Sequence, residues 1–186
     1  MYADAVFRTS LGWVHAQASH RGITRLQFSR RRPAVRSSAA APDSVCHSER
    51  SEESHRSSET APGKAQQHLR ALQRDIRDYL AGKITRFTVA VDLRHVSPFH
   101  LAALRMAARI PFGRVMTYGD LAGCLGRPGA ARAVGQAMAR NPVPILIPCH
   151  RVVARSGLGG YGMGSHLKAR LLRLEAKALA REGRPR

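Results

Sequence analysis

The sequence predicts an α+β chain in which a small antiparallel sheet comes first and helices follow. Three observations predict it. Turn-forming residues cut residues 1–30 into short strand-like runs, apolar spacing becomes helical from His68 onward, and prolines and glycines divide the remainder into short helices. Thr9-Ser-Leu-Gly12 and His20-Arg-Gly22 read as turns, residues 13–18 as one strand, and Ile23, Leu26 and Phe28 suit another. Residues 34–63 hold only Val35 and Val45 as large aliphatics and no aromatic. So little apolar surface cannot offset the entropy of ordering, and the segment is expected to be a disordered insertion.

Leu69, Leu72, Ile76 and Tyr79 then fall at spacings of 3, 4 and 3, one helix face ended by Gly82. Phe87, Val89 and Val91 alternate as a strand would. Ser97-Pro98 supplies an N-cap and a first-turn proline for a helix reaching Arg109, which Ile110-Pro-Phe-Gly113 breaks. Thr117-Tyr-Gly-Asp120 has capping-box form and opens a short helix closing at Gly126. Arg127-Pro-Gly129 turns the chain into a second helix over residues 130–140. Two short helices across a glycine-containing turn suggest a helix-turn-helix. Finally Leu167, Leu171, Leu174 and Ala178 give a last helix one apolar face, with Glu175 at its edge, either partnered there or simply exposed on the flank.

The formal net charge of +19 is unevenly spread: residues 1–63 carry nine basic and six acidic side chains, residues 64–186 carry 22 and six. Such a field attracts phosphate and suits nucleic acid better than a small neutral substrate. No apolar run approaches membrane-spanning length and residues 1–10 lack signal-peptide character, so a cytoplasmic protein that does not engage membranes is expected. Cys46, Cys124 and Cys149 cannot all pair and no Cys-x-x-Cys occurs, which argues against a disulfide framework or a cysteine-rich zinc site.

Chemistry concentrates in Asn141-Pro-Val-Pro-Ile-Leu-Ile-Pro-Cys149-His150-Arg151, where a thiol stands beside an imidazole behind three prolines. Each proline fixes φ and removes a donor, which excludes helix and predicts a rigid, extended approach to Cys149. The second helix of the pair, Ala130-Ala-Arg132-Ala-Val-Gly-Gln136-Ala-Met138, offers only Arg132 and Gln136 to base edges. Its smallness permits close approach to a narrow groove with little sequence preference. Arg132 then acts as a wedge in the base stack or as a plain phosphate contact.

These residues resemble the O6-alkylguanine-DNA alkyltransferases, also called methylated-DNA–protein-cysteine methyltransferases. The likeness rests on Ile110-Pro-Phe-Gly113, Thr117-Tyr118, Ala130-Ala-Arg132-Ala-Val-Gly135 and the Asn141 to Cys149-His150-Arg151-Val-Val153 run. It continues into Gly160-Tyr161, Gly164, Lys168, Leu171-Leu172 and Glu175. The resemblance implies a ribonuclease H-like α/β domain over residues 1–95, a helical, winged-helix-like DNA-binding domain over 97–181, and a tail at 182–186. It implies that Cys149 accepts the alkyl group, with His150 as base through a water, Glu175 orienting it and Asn141 supporting the turn. Thr117, Tyr118, Ala130, Ala131, Arg132 and Gly135 would contact DNA, Tyr118 on a phosphate and Arg132 in the vacated stack. Met138, Pro144, Tyr161 and the backbones of Val152 and Gly162 would line the base pocket.

The expected partner is double-stranded DNA carrying O6-alkylguanine, with O4-alkylthymine a second substrate, acted on by a monomer with no cofactor and no metal. The target must be flipped out of the stack, and the stable thioether product means that each molecule reacts once. The alternatives are a non-catalytic sensor of alkylated bases, a helix-turn-helix regulator, and a cysteine hydrolase using Cys149, His150 and Glu175.

Overall fold

The computed structural model describes residues 2–33 and 63–182. The expected insertion, apart from Gly63, and the tail after residue 182 lie outside the described residues. Strands β1 (Tyr2–Thr9), β2 (Gly12–Ser19) and β3 (Gly22–Ser29) form an antiparallel meander in which Thr9 pairs with Gly12 and Ser19 with Gly22. Both turns fall where the turn residues predicted them. Val14, Ala16 and Ala18 of β2 alternate inward with Ile23 and Leu26 of β3.

Helix α1 (Lys64–Leu80) covers that face with Leu69, Leu72, Ile76 and Tyr79, the residues its periodicity selects. It ends on Gly82, whose φ of 71° lets its amide return to the Tyr79 carbonyl.

Residues 87–91 do not form the expected strand. The Asp75 carboxylate on α1 accepts from the Thr88 amide at 2.7 Å and from its hydroxyl at 3.0 Å, tying the segment to the helix. Only its end meets the sheet: the Ile23 amide donates to the Ala90 carbonyl at 2.8 Å and the Asp92 amide to the Ile23 carbonyl at 2.9 Å, a single parallel bridge between Val91 and Ile23. Gly22 makes that contact possible: a Cβ there would lie 2.5 Å from the Ala90 carbonyl oxygen, at a φ of 152°. Gly22→Ala is therefore expected to destabilise the protein by about 1–3 kcal/mol through strain alone, with the clash adding to it; chemical denaturation with no change in midpoint would refute this.

Helix α2 (Pro98–Ala108) begins at the expected proline. The two-residue strand β4 (Met116–Thr117) leads into α3 (Tyr118–Cys124). Thr117 caps α3 through the Asp120 amide, and the Asp120 carboxylate accepts from the Thr117 amide, completing the capping box. Across residues 125–130 follows α4 (Ala131–Ala139), with Val134, Ala137 and Met138 inward and Arg132 and Gln136 exposed. Strand β5 (Val152–Val153) pairs in parallel with β4, which draws the end of the Cys-His-Arg segment to the start of α3. Helix α5 (Ser165–Glu182) closes the chain. One continuous apolar core joins the sheet, α1, α2, α3, α4 and the 143–152 segment.

The proline-rich approach to Cys149 is turned rather than extended. Pro144 bridges Ile147, the Ile147 amide donates to the Val143 carbonyl at 3.0 Å, and Ile145 takes a φ of 77° while fully packed against Tyr79 and Leu171. The prolines exclude helix as expected. The reversal comes from Ile145, a β-branched residue in a conformation that its own sequence disfavours and its packing imposes.

Candidate active site

Cys149, His150 and Arg151 form a single buried 3-10 turn. Asn141 organises its approach. The Asn141 amide group donates to the Ile147 carbonyl at 2.9 Å and to the Cys149 Sγ at 3.1 Å, while its Oδ1 accepts from the Val143 amide at 3.0 Å. One side chain thus closes the turn and holds the sulfur.

Behind the turn, Glu175 of α5 is fully buried, settling its place on the inner side of the helix. Its Oε1 accepts from His150 Nε2 at 2.8 Å and from Arg151 Nη2 at 2.9 Å, and its Oε2 from the Gly113 amide at 2.8 Å. Arg151 also donates to the Ile110 carbonyl at 2.7 Å and lies over the Phe112 ring. Burial pushes the Glu175 carboxyl up, but the hydrogen bonds from His150 and Arg151 win and hold it at about 2. Burial, outweighing the attraction of Glu175, keeps the His150 imidazole below its ordinary range. The neutral ring donates from Nε2 to Glu175, and its buried Nδ1 has no hydrogen-bond partner.

The inward face of α5 differs from the expected stripe. Lys168, Leu171, Glu175 and Ala178 are buried, whereas Leu167 and Leu174 are only half-buried. Lys168 Nζ donates to the Val152 carbonyl at 2.6 Å and the Gly160 carbonyl at 3.1 Å, and reaches the Tyr118 hydroxyl at 3.4 Å. Burial raises the Cys149 thiol, while the Asn141 hydrogen bond and the Lys168 charge pull it down. The net direction is upward, so the resting sulfur is a neutral thiol. The Tyr161 hydroxyl is also buried beside the thiol, and burial pushes its phenol far above the ordinary range.

Cys149 is 3% exposed and stands where two cavities meet. The first, of about 690 Å³, opens along α4 and is lined by Tyr118, Ala131, Arg132, Gly135, Met138 and Tyr161, among others. A Cβ on Gly135 would meet nothing within 4 Å, so the helix backbone is open to whatever enters. The second, of about 410 Å³, lies toward the sheet and includes Asn141, Pro144, Met138, Tyr161 and Gly162 together with His15 and Phe28. Of the residues singled out in the sequence, Thr117 caps α3, Ala130 precedes α4 and neither lines either of these two cavities. Val152 is fully buried and offers its carbonyl to Lys168. Arg151, Lys168, Tyr79 and Gly113 complete the polar network; the sequence named each of them without giving it a place in the site. The helical positions of Lys168 and Glu175 on either side of Leu171 are the signal that could have found two of the contacts.

No group of three metal-ligating side chains occurs among the described residues, and no described helix is long and apolar enough to cross a membrane. Fold and site define a mixed helix-and-sheet protein that holds one cysteine in a buried polar network beneath an open pair of short helices. Residues 98–177 match the family model described as the DNA-binding domain of 6-O-methylguanine DNA methyltransferase. The methylated-DNA–protein-cysteine methyltransferase of Mycolicibacterium paratuberculosis is 47% identical over 100 residues, 53% of this chain and 60% of that protein. The protein of that name from Saccharolobus islandicus is 44% identical over 97 residues, 52% of this chain and 62% of its own length. The aligned stretch thus spans under two thirds of these curated relatives. Among solved structures, a Mycobacterium tuberculosis OGT in complex with DNA superposes with a TM-score of 0.70 at 31% identity, over 95% of this chain and 93% of that one. The O6-methylguanine-DNA methyltransferase of Pyrococcus kodakaraensis gives a TM-score of 0.57 at 27% identity, over 94% and 99%. The chain belongs to the methylated-DNA–protein-cysteine methyltransferase family.

Proposed function

We propose that this protein repairs DNA by moving the alkyl group of O6-alkylguanine, and of O4-alkylthymine, onto Cys149, once per molecule. The observation that carries the reading is the placement of a single buried thiol at the inner end of the cavity along α4, beside an imidazole whose Nδ1 is left free by the Nε2–Glu175 bond. The sheet unit of residues 1–95 is read as ribonuclease H-like. Residues 97–181 are read as a winged-helix-like domain whose α3–α4 pair is a helix-turn-helix entering the minor groove.

The open backbone of Gly135 and the small residues around it allow close approach, with Arg132 replacing the stacking of a flipped nucleotide and Tyr118 pressing on a phosphate. Thr117, Ala130 and Ala131 sit at the helix starts facing the duplex. The flipped base rests among Met138, Pro144, Tyr161 and the backbone of Gly162, with Val152 acting only through its main chain.

Lesion entry brings the alkyl carbon to Sγ. The thiol proton passes through a water to His150 Nδ1, the sulfur attacks in line, the S–C bond forms as the C–O6 bond breaks, and the departing guanine takes a proton in return. Glu175 stabilises the transient imidazolium. Asn141 and Lys168 stabilise the thiolate, offsetting part of what burial costs it.

Intact and peptide mass spectrometry after incubation with duplex DNA containing O6-methylguanine tests the proposal. One methyl on Cys149 and no further turnover is the expected result; selective lesion binding without an adduct would mean a sensor instead. Arg132→Ala is expected to weaken both lesion binding and repair by roughly tenfold, the scale of one lost arginine contact. Unchanged repair at limiting protein would refute the wedge.

A further inference from the structure

Tyr79 brings a hydroxyl into the site from α1, a helix outside the stretch matched by the family model. Its ring is fully buried, 5.0 Å from Phe87 and edge-on to Phe112 at 5.9 Å. Phenylalanine would satisfy that packing, so the hydroxyl needs its own account, because a buried phenol without a partner is costly. It donates to Glu175 Oε1 at 2.5 Å, and its oxygen lies 3.3 Å from His150 Nε2. Burial, and next the Glu175 charge, push the phenol far above its ordinary range, so it stays a donor. The hydroxyl therefore sits beside the 2.8 Å His150–Glu175 bond, in reach of both its partners.

We infer that Tyr79 is a positioning residue for the proposed transfer, fixing the tautomer and limiting the basicity of His150 from the sheet side of the molecule. Two consequences of the geometry carry this. An added donor on Oε1 drains charge from Glu175, so the carboxylate accepts the His150 N–H without drawing a second proton onto the ring. The phenol oxygen also gives Nε2–H a second acceptor, which favours the tautomer with Nδ1 unprotonated. Without the hydroxyl, Glu175 holds an imidazolium more strongly, and His150 is protonated, hence idle as a base, up to a higher pH.

The inference rests on the alkyl-transfer reading, and the test separates the two. Single-turnover transfer from O6-methylguanine duplex is measured across pH with the wild-type protein, with Tyr79→Phe, and with 3-fluorotyrosine placed at position 79 alone. Tyr79→Phe is expected to slow transfer about tenfold at neutral pH, part of the usual worth of a positioned base, and to move the acid limb of the profile upward with DNA affinity unchanged. Fluorotyrosine keeps the packing and strengthens the donor, so its acid limb is expected to move the other way, and it serves if Tyr79→Phe does not fold. Opposite shifts cannot come from packing. No transfer by the wild-type protein would defeat the functional reading itself. Wild-type transfer with unshifted profiles in the folded variants would overturn the role of Tyr79.

Discussion

Alanine at position 149 is expected to abolish methyl transfer outright while leaving DNA binding intact. The other sulfurs lining the two cavities belong to Met138 and Met163, thioethers that could take an alkyl group only by becoming charged sulfoniums, in a buried place at Met138. Serine is expected to fail as completely, since its hydroxyl does not ionise under conditions where a supported thiol does. Binding survives because Sγ is buried and Asn141, which donates to it, still closes the turn on the Ile147 carbonyl. Labelled methyl transfer and electrophoretic titration on the same preparation check both halves. Label on the alanine variant, at any residue, would sink the assignment of Cys149.

Glu175→Ala is expected to cost 3–5 kcal/mol of stability, about the loss seen when one partner of a buried ion pair is removed. The substitution strands the Arg151 guanidinium, the His150 N–H, the Tyr79 hydroxyl and the Gly113 amide at one stroke. Glu175→Gln keeps two acceptor lone pairs on one oxygen and is expected to lose less. The same network sets an acid limit. The Glu175 carboxyl is lowered from 4.5 to about 2, so its contribution is fully present above pH 4.5 and disappears as pH falls toward 2. Equilibrium unfolding across that window should show wild-type stability falling more steeply than that of Glu175→Gln, and parallel curves would refute the claim.

The meander of residues 2–29, the face of α1, the capping box and the adjacency of Cys149 and His150 were legible because each is written in neighbouring residues. Thr117 and Asp120 satisfy each other within one turn, and Leu69 to Tyr79 meet a sheet that any apolar stripe would suit. The inward face of α5 was not legible. Lys168 is drawn in by two main-chain carbonyls, which have no sequence signature, and Glu175 by groups from three separated stretches of chain. Residues 87–91 alternate as a strand does, yet one carboxylate at Asp75 outcompetes the ladder by taking the Thr88 amide. The turn at Ile145 is hidden for a similar reason: its φ is imposed by the contacts of the folded core, while its side chain argues for the opposite.

The burial of Cys149 also bears on how long an unused molecule keeps. Peroxide and small alkylating agents attack thiolates in proportion to their ionisation and accessibility. Of the two cysteines among the described residues, Cys124 is exposed and Cys149 is buried and held neutral. A passing oxidant therefore meets Cys124 before Cys149, and on the proposed reaction the latter stays chemically quiet until a duplex delivers an electrophile to it. On the proposed single-use reaction, this resting inertness decides what fraction of a standing population is still competent when damage arrives.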